Sequence, residues 1–183
     1  MKAVVPRLTY PELRQMPDDG KRYELINGEV FVTPSPSEKH QRVLGRLFVR
    51  MSLFVETHKS GSVYVAPFDV VFSDKTALQP DILFVSAARK AIIGPEYVLG
   101  APDLVVEILL PHRPRFDRVT KREQYALHGV KEYWIIDPLA ENVEVYRLSD
   151  NGYELKGTLA GSQTLESPLL EEWKLPVLGL FAE

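Results

Sequence analysis

Residues 104–110, LVVEILL, form an apolar run broken by one ionisable side chain, Glu107. A helical pattern follows, and then a second apolar stretch, EYWIID, so the segment reads as a strand, a crossover helix and a parallel strand. Such a first strand lies in the interior of a sheet and is covered on both faces, which accounts for its lack of polar alternation. A carboxylate placed there cannot point at water. An uncompensated buried charge finds a partner, binds a cation or shifts its pKa until it is neutral. Glu107 therefore has two readings, a structural ion pair or a functional site, and the rest of the chain must supply its partner.

Helix and strand signals continue on both sides. Residues 9–16 read as a short helix with Thr9 and Glu12 as a capping box, and RYELINGEVFV as a hairpin turning at Asn27 and Gly28. Ser35, Pro36 and Glu38 read as cap, first-turn proline and capping-box partner of a long helix. Its Val43, Leu44, Leu47, Phe48, Met51, Phe54 and Val55 recur at helical spacing. SVYVAPFDVVF and DILFV are strand-like, separated by the polar turn SDKTALQP, and RFDRVTKREQYALHG is helical, closing at Gly129. NVEVYRL, SDNG and YELKG form a second hairpin, and residues 165–181 a proline-punctuated segment docking on the body. From residue 35 to 137 the order is helix, strand, strand, strand, helix, strand, an α/β chain of the α+β kind with helices packed on a mixed sheet. With 183 residues, one domain is expected over 1–183: a core at about 35–137, an N-terminal helix and hairpin at 9–33, and a C-terminal hairpin and tail at 142–183.

Asp81 opens the strand DILFV, one strand before Glu107 in the chain. Neighbouring strands lie about 4.8 Å apart, so carboxylates on adjacent strands can share one cation. Asp103 shares a face with Glu107 but stands about 13 Å away along the strand, too far for one ion. The two-residue turn puts Glu24 across from Phe31 and on the face of Ile26, where it either looks inward or lies exposed on the hairpin. His40 falls in the middle of the apolar stripe of the long helix and should face the sheet, as a satisfied buried histidine or as a functional one.

Helix, three strands, helix and strand, with PD opening the second strand and an acid inside the third, resemble the PD-(D/E)XK nuclease-like superfamily. The segments YELINGEV, PSEKHQRV, QPDILFV, GAPDLVVEIL and FDRVTKREQYALHGVKEYWIIDP are similar to its Uma-type branch, endonuclease-like proteins formerly filed as a domain of unknown function. The resemblance spans about residues 23–146 and implies a restriction-endonuclease-like fold. It implies Mg²⁺ or Mn²⁺ bound by Asp81 and Glu107, polarising the scissile phosphate and helping to generate the attacking hydroxide. The family's early glutamate falls on Glu24, a further metal-site residue, and its helix-start histidine on His40. The superfamily's lysine, two residues after the acid, falls on Leu109, and a serine usual in the branch falls on Leu110. A cation from the following helix is expected to substitute. Lys121 is the candidate, on one broad face with Asp117, Gln124, Tyr125 and His128. An ordinary solvated face is the competing reading, because Phe116, Val119, Ala126 and Leu127 lie roughly opposite.

The net charge of −3 argues against a wholesale polyanion-binding surface but leaves room for a local one. RPRFDRVTKR carries Arg113, Arg115, Arg118, Lys121 and Arg122 against a single acid, directly after the Glu107 strand, and makes nucleic acid, DNA first, the expected partner. Arg42, Arg46 and Arg50 form a second row that equally suits a solvated helix face. Without cysteine, any metal is held by oxygen or imidazole. No apolar run reaches membrane-spanning or signal-peptide length, so the cytoplasm is the expected location. The aromatic and apolar residues 173–181 cover either the body or a second subunit, which leaves a homodimer open. The activity expected is a Mg²⁺-dependent endonuclease. The alternatives are a nucleic-acid-binding protein of the same fold without the chemistry, or an oligomeric interaction protein.

Overall fold

The computed structural model describes residues 7–17, 19–111 and 114–182. Helix α1 (Tyr10–Leu13) is a single turn, shorter than the 9–16 expected, and Glu12 accepts hydrogen bonds from both the N–H and the hydroxyl of Thr9. Strands β1 (Arg22–Ile26) and β2 (Glu29–Thr33) pair about Asn27 and Gly28, both at positive φ as a tight hairpin turn requires. Glu24 stands opposite Phe31, as the turn length predicts.

Helix α2 (Glu38–His58) buries His40, Val43, Leu47, Met51 and Val55 along one stripe. Its cap is Ser37 rather than Ser35: the Ser37 side chain accepts from the His40 N–H at 3.3 Å. Pro36 consequently precedes the cap, and Glu38 falls at the first helical position, two short of where a capping box needs it. The stretch SVYVAPFDVVF is two strands, β3 (Gly61–Val65) and β4 (Asp69–Ser73), because Pro67 brings no N–H to a ladder. The polar segment expected to be only a turn contains β5 (Thr76–Leu78), all three residues of which are buried.

The chain continues through β6 (Ile82–Ser86), β7 (Tyr97–Leu99) and β8 (Leu104–Ile108). A π-helical segment, Phe116–Lys121, runs into α3 (Arg122–Leu127), which is followed by β9 (Glu132–Asp137). Strands β10 (Asn142–Ser149), β11 (Gly152–Ala160), β12 (Thr164–Ser167) and β13 (Leu170–Pro176) precede a last turn, α4 (Leu178–Phe181). The six-stranded sheet has the order β11-β10-β9-β8-β6-β3, and the five-stranded one β2-β1-β5-β4-β7. Strand β8 is interior, antiparallel to β6 and parallel to β9 across the α3 crossover. The α2-β3-β6-β8-α3-β9 core thus keeps the expected order, with β4, β5 and β7 diverted to the second sheet.

Alternation along β8 separates two packing faces. Leu104, Val106 and Ile108 pack with the α2 stripe and with Trp173, Leu175, Val177 and Leu180, so the C-terminal segment closes the core of its own chain. Val105 and Leu109 face Tyr125 of α3, Tyr133, and Ile26, Val70 and Leu78 of the five-stranded sheet. Glu107 belongs to this second face, between the sheets. Among the described residues no helix is long and apolar enough to cross a membrane.

Candidate active site

The pairing of Ile82 with Val106 places Asp81 opposite Glu107 on the same face of adjacent strands. Both are buried, at 4% and 3% exposure. Asp81 Oδ2 accepts from the Ile108 N–H at 2.8 Å and lies 3.0 Å from His40 Nε2, while Arg22 Nη1 is 3.9 Å from Oδ1. Glu107 Oε1 accepts from Lys121 Nζ at 3.0 Å and from the Tyr125 hydroxyl at 2.6 Å. Lys121 Nζ also stands 2.8 Å from Glu24 Oε1 and 3.7 Å from Asp117 Oδ1. Glu24 is fixed in turn by the Gln79 N–H at Oε1 and the Thr33 hydroxyl at Oε2. Three acids, from β1, β8 and the α3 crossover, therefore converge on one lysine, with Asp81 facing Glu107 beside them.

The polar face of the crossover helix points inward, which corrects the reading of it as solvated. Asp117, Lys121, Gln124 and Tyr125 are buried, whereas Leu127 is 72% exposed. Two causes act together: residues 116–121 are π-helical, so a wheel drawn at 100° per residue does not hold through them, and the buried acids give Lys121 the counter-charges it needs. His128, expected on the same face, stacks on Phe72 at 4.6 Å between ring centroids. Asp103, the same-face competitor, is engaged by the Ser86 N–H, Arg89 and Lys131.

One ammonium among several carboxylates sets the protonation pattern. Burial pushes the Glu107 carboxyl up; Lys121 opposes this, Asp81, Asp117 and Glu24 reinforce it, and the result lies well above the usual carboxylate range. Burial also acts against ionised Asp81, but the His40 hydrogen bond and charge, the Ile108 N–H and Lys121 outweigh it and hold Asp81 below its usual value. Burial pulls Lys121 down, and Glu107, Glu24 and Asp117 carry it well above its ordinary value. Tyr125 is raised by burial and by the Glu107 charge, so it remains a hydroxyl donor. Two facing acids with opposite shifts are the arrangement that divides protonated from ionised roles.

Among the described residues no three acidic or histidine side chains converge tightly enough to cage an ion. A small hard cation does not require that: Mg²⁺ is typically held by one or two carboxylates, with water and substrate phosphate completing its shell. Asp81 and Glu107, opposite each other on adjacent strands, would be the two carboxylates for such an ion, with the surplus of buried carboxylates over ammonium as its charge complement. Glu24, expected as a further metal-site residue, has both oxygens occupied by protein donors.

Of the four arginines expected to meet nucleic acid, Arg113 lies outside the described residues and Arg115 is exposed. Arg118 forms ion pairs with Asp137 and Glu144, and Arg122 lies 5.2 Å over the Tyr146 ring, so these two tie the crossover to β9 and β10. Arg46 donates to the carbonyls of Leu180 and Ala182 and secures the C-terminal turn. A cavity of about 530 Å³ opens beside Asp81 and His40, with Lys21 and Arg22 on its wall. Sequence reading assigned no role to Arg22 or Gln79 and none of its own to Tyr125. The i, i+4 spacing of Tyr125 from Lys121 was the available signal for it, whereas Gln79 acts through its main chain and carries no side-chain signature.

The mixed sheet, the acid opening β6 and the acid inside β8 define a protein of the restriction-endonuclease-like class. The chain belongs to the Uma2 family, described as "Putative restriction endonuclease", whose model matches residues 10–178. Among solved structures it is similar to a protein from Anabaena variabilis ATCC 29413 described as a "putative nuclease belonging to DUF820". The TM-score is 0.80 at 22% identity, covering 96% of this chain and 98% of that one, a likeness of fold. No curated protein matches the chain.

Proposed function

We propose that the protein is a divalent-metal-dependent nuclease that hydrolyses phosphodiester bonds of nucleic acid, DNA in the first instance. The observation that carries this reading is the facing pair Asp81 and Glu107 on adjacent interior strands, with Lys121 Nζ 3.0 Å from Glu107. The family description and the likeness to a protein described as a nuclease support it. Asp81 and Glu107 are the proposed ligands of Mg²⁺ or Mn²⁺. When bound, such an ion supplies Lewis-acid polarisation of the scissile phosphodiester. Lys121 replaces the lysine absent at Leu109: kept charged by its acids, it offers N–H donors to the charge that builds on phosphate oxygens. Glu24 positions Lys121, Tyr125 orients the Glu107 carboxylate, and His40 fixes the Asp81 carboxylate from the opposite side. Arg115 and the cavity cations Lys21 and Arg22 meet the flanking phosphates.

The test is incubation of purified protein with plasmid, linear duplex, single-stranded DNA and RNA, in Mg²⁺, Mn²⁺ or chelator. Glu107→Gln and Lys121→Met, each shown to be folded by circular dichroism, are run alongside. Metal-dependent cleavage, slower by about 100-fold or more in both variants, is expected. Cleavage by Glu107→Gln at the parental rate, or no cleavage of any nucleic acid, would overturn the proposal.

A further inference from the structure

Asp81 and Glu107 lie below the molecular surface, so a phosphodiester reaches them only by entering the fold. The opening at Asp81 is the cavity of about 530 Å³, bounded by the start of β1, residues 32–36, the first turns of α2, and Pro67. Openings of about 300–1,000 Å³ accommodate one small-molecule-sized group. A single strand can lower one nucleotide onto such a floor without first breaking base pairs, whereas a duplex must be opened.

The lining has the chemistry of a nucleotide's two ends. Lys21 and Arg22 supply positive charge, and Val32, Pro34, Pro36 and Leu44 supply apolar surface on which a base can lie. Val32, on the cavity wall, is 43% exposed. His40 borders the same space: its Nε2 is engaged by Asp81, while its buried Nδ1 has no hydrogen-bond partner among the described residues. Among the described residues, the basic window after β8 is in part spent within the fold. The chain carries a net charge of −3, and Arg118 and Arg122 are turned to Asp137, Glu144 and Tyr146.

We infer that this cavity receives one unpaired nucleotide beside the scissile bond, so that the substrate is a single strand, a flap or a frayed end and not an intact duplex. The inference rests on the nuclease reading and narrows its substrate. Opening a closed duplex costs a few kcal/mol per extruded base and a single strand costs none, so discrimination follows from unpairing alone.

The experiment is fluorescence anisotropy of the full chain with a labelled single-stranded oligonucleotide and with the same sequence in a duplex closed by hairpins at both ends. Ca²⁺ buffer is used, the oligonucleotide is checked to be intact, and thymidine 3′,5′-bisphosphate serves as competitor. Single strand is expected to bind at least about 10-fold more tightly than closed duplex and to be displaced by the bisphosphate. Val32→Trp fills the cavity from an exposed position and should weaken single-strand binding by about 10-fold with an unchanged melting temperature. Arg22→Ala, at the cationic wall, should weaken it as well and reduce its salt dependence.

Closed duplex bound or cut as well as single strand overturns the inference and leaves the nuclease reading intact. Single-strand binding that ignores both the bisphosphate and Val32→Trp also overturns it, because the strand then lies elsewhere. Binding through the cavity without turnover in Mg²⁺ or Mn²⁺ upholds the seat for an unpaired nucleotide and removes the nuclease reading, and with it the scissile bond beside that seat. Absence of binding to any nucleic acid overturns both.

Discussion

Replacing Glu107 with glutamine removes a buried carboxylate while keeping its shape and an acceptor oxygen for Lys121 and Tyr125. At an effective dielectric constant of about 20, Lys121 at 3.0 Å attracts the charged form by about 5–6 kcal/mol. Asp81 on the adjacent strand and Glu24 on the same ammonium each stand about 5 Å away and repel it by about 3 kcal/mol. Attraction and repulsion nearly cancel, and the cost of desolvation is left over. The parental side chain escapes part of that cost by holding a proton, so the gain in the metal-free variant is about 1–3 kcal/mol near pH 8. That corresponds to about 2–10 °C in Tm for a chain of this size.

The gain also has a defined pH dependence. Glu107 has a folded-state pKa above its unfolded one, so its contribution to stability is complete below the ordinary glutamate range and is lost as pH rises through the raised value. Glutamine does not titrate, so the gap between variant and parent is widest in alkali and closes in acid. Asp81 loses its contribution in acid in both proteins, and that term drops out of the difference to first order. Urea unfolding in chelator at about pH 5 and about pH 8 measures it, with Trp134 and Trp173, stacked in the core, as the fluorescent reporters. A variant less stable than the parent near pH 8, or a gap that does not change with pH, would refute the reasoning.

Three further predictions concern the scaffold. Ser37→Ala removes the cap of α2 and is expected to cost about 1 kcal/mol by chemical denaturation, with Ser35→Ala, which caps nothing, as the neutral control. Gly61→Ala would drive a Cβ into the Val85 carbonyl oxygen and within 2.9 Å of Ser86 Cα, backbone atoms that cannot swing aside, so a loss of about 1–3 kcal/mol is expected in thermal melts. Asp103→Ala leaves Arg89, Lys131 and the Ser86 N–H without their acceptor and is expected to cost about 2–4 kcal/mol near neutral pH. Burial raises the Asp103 carboxyl, but the hydrogen bonds from Lys131, Ser86 and Arg89 lower it further, so its contribution is present above the ordinary aspartate range and lost in acid; variant and parent should converge there.

The sequence exposes those parts of the molecule whose geometry is local. Asn27-Gly28 sets the register that faces Glu24 with Phe31, and the unbroken run around Glu107 marks β8 as interior. Asp81 is legible as its partner because both acids lie on neighbouring strands with a fixed spacing. The five-stranded sheet is not legible: β5 and β7 have three residues each, too few for a period, and only Pro67 hints that β3 and β4 part company. Two serines flank Pro36, and only the position of the His40 N–H selects Ser37. The inward turn of Lys121 depends on Glu24, far away in sequence, and on a π-helical segment that periodicity cannot register. Arg118 misled for the same reason: Asp137 and Glu144, which engage it, lie outside the basic window.

Calorimetric titration of Mn²⁺ into the metal-free parent, Asp81→Asn and Glu107→Gln, with folding verified by circular dichroism, tests the shared carboxylate site most directly. The account predicts one site in the parent and its loss, or a weakening of at least about 10-fold, in both variants. Binding of Mn²⁺ by either variant with parental affinity would contradict it.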